Sequence, residues 1–179
     1  MLEAAFGPGQ TVQVYSSQEA RVIETLRRGA THVQNWMDTA AYDLADRFRR
    51  RAHKRAYRWM EREFTKRIRK PVGAPIWVSF DLTGKLSRQK EGYTILALDV
   101  PRSELLLSSY KPWSEDVLDG WCLDHCDEPY GVRLGPPCAC TGRRRRESWT
   151  GIFDVGGTPA DWQGVLDRIE PNWVTKFFE

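Results

Sequence analysis

The 179-residue chain lacks the sequence features that mark several large classes of protein. No apolar run reaches the roughly 20 residues that a helix needs to cross a bilayer. The opening MLEAAFGPGQ holds neither the basic nor the apolar stretch of a secretory signal. The phosphate-binding patterns GxxxxGK[S/T] and GxGxxG are missing as well, which argues against the common nucleotide-binding folds. We therefore expect a cytoplasmic protein whose thiols stay reduced.

Charge is distributed unevenly along the chain, although the net charge is only +3. Between Asp46 and Lys70 there are twelve Lys or Arg residues and three Asp or Glu residues. Between Asp99 and Glu128 the balance reverses, with eight acidic residues and two basic ones. Two such poles predict one basic face and one acidic face. The eight tryptophans predict a large aromatic surface that is buried or faces a partner.

The hydropathy pattern predicts an α+β fold over a single domain, residues 1–179. A small mixed or antiparallel sheet is expected to pack with a long basic amphipathic helix and with shorter helices. Ser16 and Glu19 predict a capping box for a short helix, and Ser114 and Thr158 are expected to cap two more. The predicted strands are Thr11–Ser17, Pro75–Leu82, Tyr93–Val100, Ser148–Val155 and Asn172–Glu179.

The long helix is predicted from apolar residues that recur at steps of three and four between Ala41 and Ile68. This span exceeds a typical helix, so we expect a kink or a break between Arg51 and His53. The opposite face is basic, and Tyr57 is expected to stack on a base there. The residues of this face that we expect to contact nucleic acid are Arg47, Arg50, Arg51, Lys54, Arg58 and Arg62.

All four cysteines lie in one segment, WCLDHCDEPYGVRLGPPCACTGRRRR. Cys122 and Cys126 form one close pair, and Cys138 and Cys140 form a second pair after a bridge of eleven residues. Two close pairs joined by a loop fit a structural Zn²⁺ ion held by four thiolates. The metal would order a loop that has almost no core of its own. Free thiols and disulfides are the alternatives.

An arginine run follows the cysteines at Arg143, Arg144, Arg145 and Arg146. A guanidinium presents a planar fork of donors that matches phosphate. The plain alternative for such a run is a solvated charged linker. If the run and the basic helix lie on one side of the molecule, binding of nucleic acid is the better prediction.

Two further sets of polar residues are weaker candidates. Asp81 and Asp99 end two predicted strands, and paired carboxylates on adjacent strands can act as acid and base or bind a divalent metal. Turn formation is the commoner role of such aspartates. His32 and His53 have no Ser or Cys nearby in a nucleophile motif, which predicts ordinary core or surface histidines.

Five stretches follow one another in the order of a known family: VYSSQEARVIETLRRG, AYRWMEREFTKRI, PIWVSFDL, LDVPRSELLLSSYKPWSEDVLDGW and SWTGIFDV. They resemble the uncharacterised bacterial and phage family called domain of unknown function 3841. The resemblance implies a compact intracellular domain and assigns it no activity. A role in phage or mobile-element biology is inferred only from membership of this family. The cysteine-rich residues 121–146 depart from the family pattern and look like an insertion.

The leading hypothesis is a small cytoplasmic protein with structural zinc that binds nucleic acid or another polyanion. The first alternative is an ADP-ribosyltransferase-like enzyme using NAD, because the first strand and the helix ending in LRRG are similar to such domains at the level of fold. Tyr15, Ser16 and Ser17 stand where those enzymes usually place Arg or His. The second alternative is a protein-binding inhibitor of a host factor, which would use exposed tryptophans and the acidic face.

Overall fold

The computed structural model describes residues 10–39, 46–86, 90–123 and 142–178. They form a six-stranded sheet in the order β4-β5-β2-β1-β3-β6, and every pair of neighbouring strands is antiparallel. The predicted α+β class with an antiparallel sheet is confirmed. The strands are β1 Thr11–Glu19, β2 Ile76–Ser79, β3 Tyr93–Pro101, β4 Leu106–Ser109, β5 Trp162–Leu166 and β6 Val174–Phe178.

Helical segments connect and cover the strands. Within the described ranges, none of them is both long enough and apolar enough to cross a lipid bilayer. The α-helices are α1 Ala20–Arg27, α2 Arg47–Arg67, α3 Leu82–Leu86, α4 Tyr110–Pro112 and α5 Gly142–Ser148. A π-helical turn over Trp113–Val117 continues α4. Turns of 3-10 helix lie at Trp36–Asp38, Arg102–Glu104, Trp149–Phe153, Pro159–Asp161 and Pro171–Trp173.

The sheet has a hydrophobic cluster on each face, because side chains alternate between the faces along every strand. On one face Val12 and Val14 of β1 pack with Ile23 and Leu26 of α1. On the other face Val165 of β5 packs with residues of α2 and with several tryptophans. The two helices therefore lie on opposite sides of the sheet.

Helix α2 is shorter than predicted and has no break. The carboxylate of Asp46 accepts a hydrogen bond from the backbone N–H of Phe48 at 2.8 Å, so the helix begins at Arg47 with an N-cap. The predicted break near Arg51 is wrong, because a helix from Arg47 to Arg67 has an ordinary length. Phe48 is 54% exposed and does not belong to the buried stripe. Residues 41–45 lie outside the described ranges.

Two local predictions near the ends of elements are also wrong. Ser16 does not cap a helix, because β1 continues to Glu19 and the Ser16 hydroxyl donates to the carbonyl of Trp77 at 3.2 Å. Residues 148–155 form the end of α5 and a 3-10 turn instead of a strand, because Trp149 and Ile152 both pack into one core cluster at a helical spacing. The predicted cap at Thr158 is confirmed, because Thr158 and Asp161 form a capping box, but the helix that it opens is a single 3-10 turn before β5.

A network of ion pairs joins the end of α2 to the end of β5. Arg69 follows α2 and contacts both carboxylate oxygens of Asp167, at 2.8 and 2.9 Å. Its guanidinium also lies 3.0 Å from Glu104. Arg168 contacts Asp167 and Glu104, each at 3.3 Å. Because Asp167 is buried, the contact of one Arg69 guanidinium nitrogen with both of its carboxylate oxygens ties the end of α2 to the sheet.

Gly164 in β5 permits close packing of the core, and replacing it by alanine should destabilise the fold. A Cβ atom there would overlap Leu105 and lie 2.8 Å from a methyl carbon of Val78. Overpacking of this kind costs about 1–3 kcal/mol. Chemical denaturation of Gly164→Ala should show this loss. Gly156→Ala is the control, because a Cβ at Gly156 would meet no atom within 4 Å; equal losses in the two variants would contradict the packing argument.

Candidate nucleic-acid interface

A cleft of about 140 Å³ lies between α2 and α5, and five arginines line it. Arg55, Arg58 and Arg62 come from α2, whereas Arg145 and Arg146 come from α5. The two predicted basic segments therefore meet at one place, although they are far apart in the sequence. The remaining described residues of the lining are Ala52, Gly120, Gly142 and Trp149.

The arginines of α2 share one side of the helix because they are spaced by three and four residues. Arg55, Arg58 and Arg62 are all exposed. The neighbouring stripe holds Ala52 and Trp59, which are buried against the rest of the protein. The amphipathic pattern thus places the guanidiniums at the margin between the buried face and solvent.

Trp149 holds the end of α5 against α2. Its indole ring is 3% exposed and meets the ring of Trp59 edge-on at 5.4 Å. The indole N–H of Trp149 donates to the backbone carbonyl of Trp121 at 2.5 Å. Close by, the hydroxyl of Ser148 accepts from the backbone N–H of Leu123 at 3.1 Å. These contacts bring Arg145 and Arg146, which precede Trp149 by one helical turn, to the cleft.

Gly120 forms another wall of the cleft, where the π-helical turn ends. Its φ angle is +82°, a left-handed conformation that favours glycine. A Cβ atom on Gly120 would lie 3.8 Å from the Cβ of Ala52 and 3.9 Å from a guanidinium nitrogen of Arg145. The backbone therefore approaches both helices closely at this point.

The cleft is strongly positive. None of its described lining residues is an aspartate or a glutamate. Within the described parts of the chain, no carboxylate lies within 4.0 Å of the guanidinium of four lining residues: Arg55, Arg58, Arg62 and Arg146. Basic residues next to the cleft do have acidic partners, since Arg143 lies 2.9 Å from Glu147 and Arg67 lies 3.3 Å from Glu63. Charge of one sign in a concave site attracts anions.

The structure brings together four of the ten basic residues that the sequence suggested for nucleic-acid contact. Arg58, Arg62, Arg145 and Arg146 line the cleft. The sequence analysis missed Arg55, although its spacing from Arg58 and Arg62 would have identified it. The other six lie on the surface around the cleft helices and do not line the cleft: Arg47, Arg50, Arg51, Lys54, Arg143 and Arg144.

Tyr57 is not an exposed stacking platform. It is 6% exposed and packs among aromatic rings, 5.8 Å from Trp77 and 6.0 Å from Trp113. Its hydroxyl accepts a hydrogen bond from the indole N–H of Trp77 at 3.1 Å. Burial raises the pKa of Tyr57, and the bond from Trp77 opposes that effect. The prediction of a base-stacking role was wrong because Tyr57 lies on the core side of α2.

Asp81 and Asp99 do not form a pair on adjacent strands. Asp81 caps α3 by accepting from the backbone N–H groups of Thr83 and Gly84 at 2.9 and 3.0 Å. Asp99 lies in β3 opposite Gln13 of β1. Since β1 lies between β2 and β3 in the sheet, the two carboxylates do not belong to adjacent strands.

The two described histidine candidates are half-buried. Nε2 of His53 lies 3.7 Å from a carboxylate oxygen of Asp119, beside the cleft. Burial lowers the pKa of His53, and the charge of Asp119 opposes that effect. His32 pairs through its backbone with Ile169, and burial lowers its pKa as well. No Ser or Cys contact of either histidine is observed in the described residues.

Of the four cysteines, only Cys122 lies within the described ranges, and it is buried. Cys126, Cys138 and Cys140 lie outside them. Among the residues that the structure describes, no group of three or more His, Cys, Asp or Glu side chains is placed to hold a metal ion. The proposed zinc ligands therefore remain a prediction from their spacing.

Comparison with known proteins gives one family. Its model, described as a domain of unknown function (DUF3841), matches residues 13–128, which is more than half of the chain. The resemblance seen in the motifs is confirmed over this range, and the last motif, Ser148–Val155, lies beyond it. The match includes Cys122 and Cys126 and ends before the other two cysteines. No curated protein and no solved structure matches the chain.

Trp149→Phe should destabilise the junction between α2 and α5. The variant keeps an aromatic ring but loses the N–H that donates to the carbonyl of Trp121. Loss of one partner of a buried hydrogen bond costs about 1–3 kcal/mol. Trp162→Phe is the control, because Trp162 is only half-buried and donates a similar bond to the carbonyl of the exposed Gly156. Equal free energies of unfolding for the two variants would show that Trp149 is no anchor.

Proposed function

Because the chain belongs to the DUF3841 family, whose description names no activity, we propose its function from the site itself: the protein binds nucleic acid, or another polyanion, through the arginines of α2 and α5. The single observation that carries this proposal is the cleft in which Arg55, Arg58 and Arg62 meet Arg145 and Arg146. Guanidinium groups bind phosphate through charge and through paired hydrogen bonds.

The volume of the cleft favours a phosphate contact over the NAD-using alternative at this site. Pockets that enclose ligands of cofactor size have volumes of about 300–1,000 Å³. The cleft, at about 140 Å³, is too small to enclose a dinucleotide. A nucleic-acid strand does not have to be enclosed in this way, because its phosphates can enter the cleft while its bases stay outside.

The second alternative, inhibition of a host protein, depended on exposed tryptophans together with an acidic face. All eight tryptophans fall within the described ranges, and each is buried or half-buried. Five of them pack in ring contacts with other aromatic side chains: Trp59, Trp77, Trp113, Trp149 and Trp162. A sixth, Trp173, packs beneath the guanidinium of Arg168. The aromatic content of the sequence thus serves the core, which favours the polyanion proposal.

A structural zinc ion bound by Cys122, Cys126, Cys138 and Cys140 is the second part of the proposal. The support from the structure is the position of Cys122, which is buried directly before the Leu123 that contacts Ser148 at the end of α5. The other three cysteines lie in the segment that joins Leu123 to Gly142, the first residue of α5. A metal bound in this segment would hold in place the part of the chain that leads into α5, the helix that carries Arg145 and Arg146.

Binding of fluorescently labelled nucleic acid should weaken steeply with salt. The logarithm of the association constant should fall with the logarithm of salt concentration by about 0.9 for each phosphate neutralised on duplex DNA. Arg58→Gln and Arg146→Gln should each lower affinity by about tenfold, or 1.4 kcal/mol, and reduce the salt slope by about one. Fluorescence anisotropy with single-stranded DNA, duplex DNA and RNA of equal length measures both quantities.

Arg28→Gln is the matched control for these variants. Arg28 directly follows α1 on the opposite side of the sheet, and its side chain is 79% exposed. The variant removes the same charge from the protein and should bind as the unmodified protein does. If Arg28→Gln weakens binding as much as Arg58→Gln does, only net charge matters and the cleft is not the site.

Purified protein should contain about one zinc ion per chain. Combined replacement of Cys138 and Cys140 by serine should abolish zinc binding, because it removes half of the thiolates. Elemental analysis of protein prepared under reducing conditions measures the metal, and titration of free thiols provides the control. Four reactive thiols in metal-free protein would refute the zinc site and leave the proposal for the arginine cleft unaffected.

A further inference from the structure

The size and charge of the arginine cleft indicate a more specific ligand. We propose that the cleft binds the terminal phosphate monoester of a nucleic-acid strand, while the adjoining nucleotides lie outside it on the basic surface of α2. This inference rests on the proposed function, because it names the part of the nucleic acid that enters the site. It differs from general polyanion binding in requiring a strand end.

The volume of the cleft suits one phosphate group. The cleft of about 140 Å³ lies below the roughly 300–1,000 Å³ of pockets that enclose drug-sized ligands. A phosphate with its first hydrogen-bond partners fits such a space. A nucleoside would not be enclosed and would lie partly outside the cleft.

The positive charge of the lining is larger than the single negative charge of a phosphodiester inside a strand. A phosphodiester within a strand carries a single negative charge, whereas a phosphate monoester carries about −1.5 to −2 at neutral pH and presents three strong acceptor oxygens. The cleft sets five guanidiniums around one small volume. Each guanidinium has five N–H donors. A terminal monoester therefore matches the site better than a diester, both in charge and in the number of acceptors.

Among the described residues, the lining offers no face on which a base can stack. Its one aromatic residue among the described positions is Trp149, whose ring is buried against Trp59. The indole N–H of Trp149 is already bonded to the carbonyl of Trp121. The other described side chains of the lining are guanidiniums and the methyl of Ala52, next to the glycines. The cleft therefore recognises phosphate without regard to the identity of the terminal base.

The spacing of the arginines along α2 gives the strand a path away from the cleft. Arg51 and Arg47 are exposed on the helix side that holds Arg55, since steps of four residues keep side chains in line. These two positions lie toward the beginning of α2, beyond the residues that line the cleft. They are placed to meet the next phosphates of a strand whose end is held between Arg58 and Arg146.

Competition among oligonucleotides that differ only at their ends tests this inference. One single-stranded DNA sequence is prepared with a 5′-phosphate, with a 3′-phosphate and with hydroxyls at both ends, and its affinity for the full chain is measured at fixed salt. At least one of the phosphorylated forms should bind tenfold or more tightly than the hydroxyl form. Arg58→Gln and Arg146→Gln should reduce this preference to about twofold or less, and Arg28→Gln should leave it intact.

The possible results separate the two proposals. Equal binding of all three oligonucleotides, still weakened by Arg58→Gln, would overturn the strand-end inference and leave nucleic-acid binding in place. Absence of binding to every oligonucleotide would overturn the proposed function itself. Inorganic pyrophosphate is the third probe: if it binds and depends on Arg58 while phosphorylated strands do not bind, the cleft serves a free phosphate compound and the strand-end inference is wrong. Thermal unfolding of each variant confirms that the fold is retained.

Discussion

The packing of Trp149 against α2 is the contact on which the candidate site depends. Helix α5 has seven residues and buries none of them, so it has no apolar face of its own to hold it. Its position comes from the next residue, Trp149, which inserts between Trp59 and the carbonyl of Trp121. An edge-on aromatic contact and a hydrogen bond from a buried N–H fix direction as well as distance. The packing of Trp149 therefore positions α5 so that its arginines line the cleft.

The cleft gathers like charges that repel one another. Two acidic residues near it in the described part of the chain have other partners: Asp119 lies near Arg49 and His53, and Glu63 lies near Arg67. Solvent and salt screen the repulsion, and the packed core beneath α2 supplies the free energy that keeps the guanidiniums close. A bound anion would relieve the repulsion and would therefore stabilise the folded state. The same arginines therefore set both the affinity for an anion and its effect on the stability of the folded state.

Much of the fold follows from local sequence patterns, and the errors have identifiable causes. The alternation in β1 and the apolar runs of β2 and β3 predicted those strands, and the tail predicted β6. Strands β4 and β5 were not predicted. Leu105, Leu106 and Leu107 are all buried, so they show no alternation between a polar and an apolar face. In β5, Gly164 weakens the local strand signal, yet it is required by the close approach of Leu105 and Val78.

The sequence by itself determined the charge of α2, the helical spacing of its arginines, the α+β class and the family. These properties depend on residues that are near one another in the chain, so their periodicity carries the information. Only the tertiary structure decided that Arg145 and Arg146 face Arg58 and Arg62 across a small cleft. It also placed Tyr57 in the core and separated Asp81 from Asp99. Such relations arise from packing between distant segments, where the shape and hydrogen bonds of Trp149, together with the strand order of the sheet, select one arrangement.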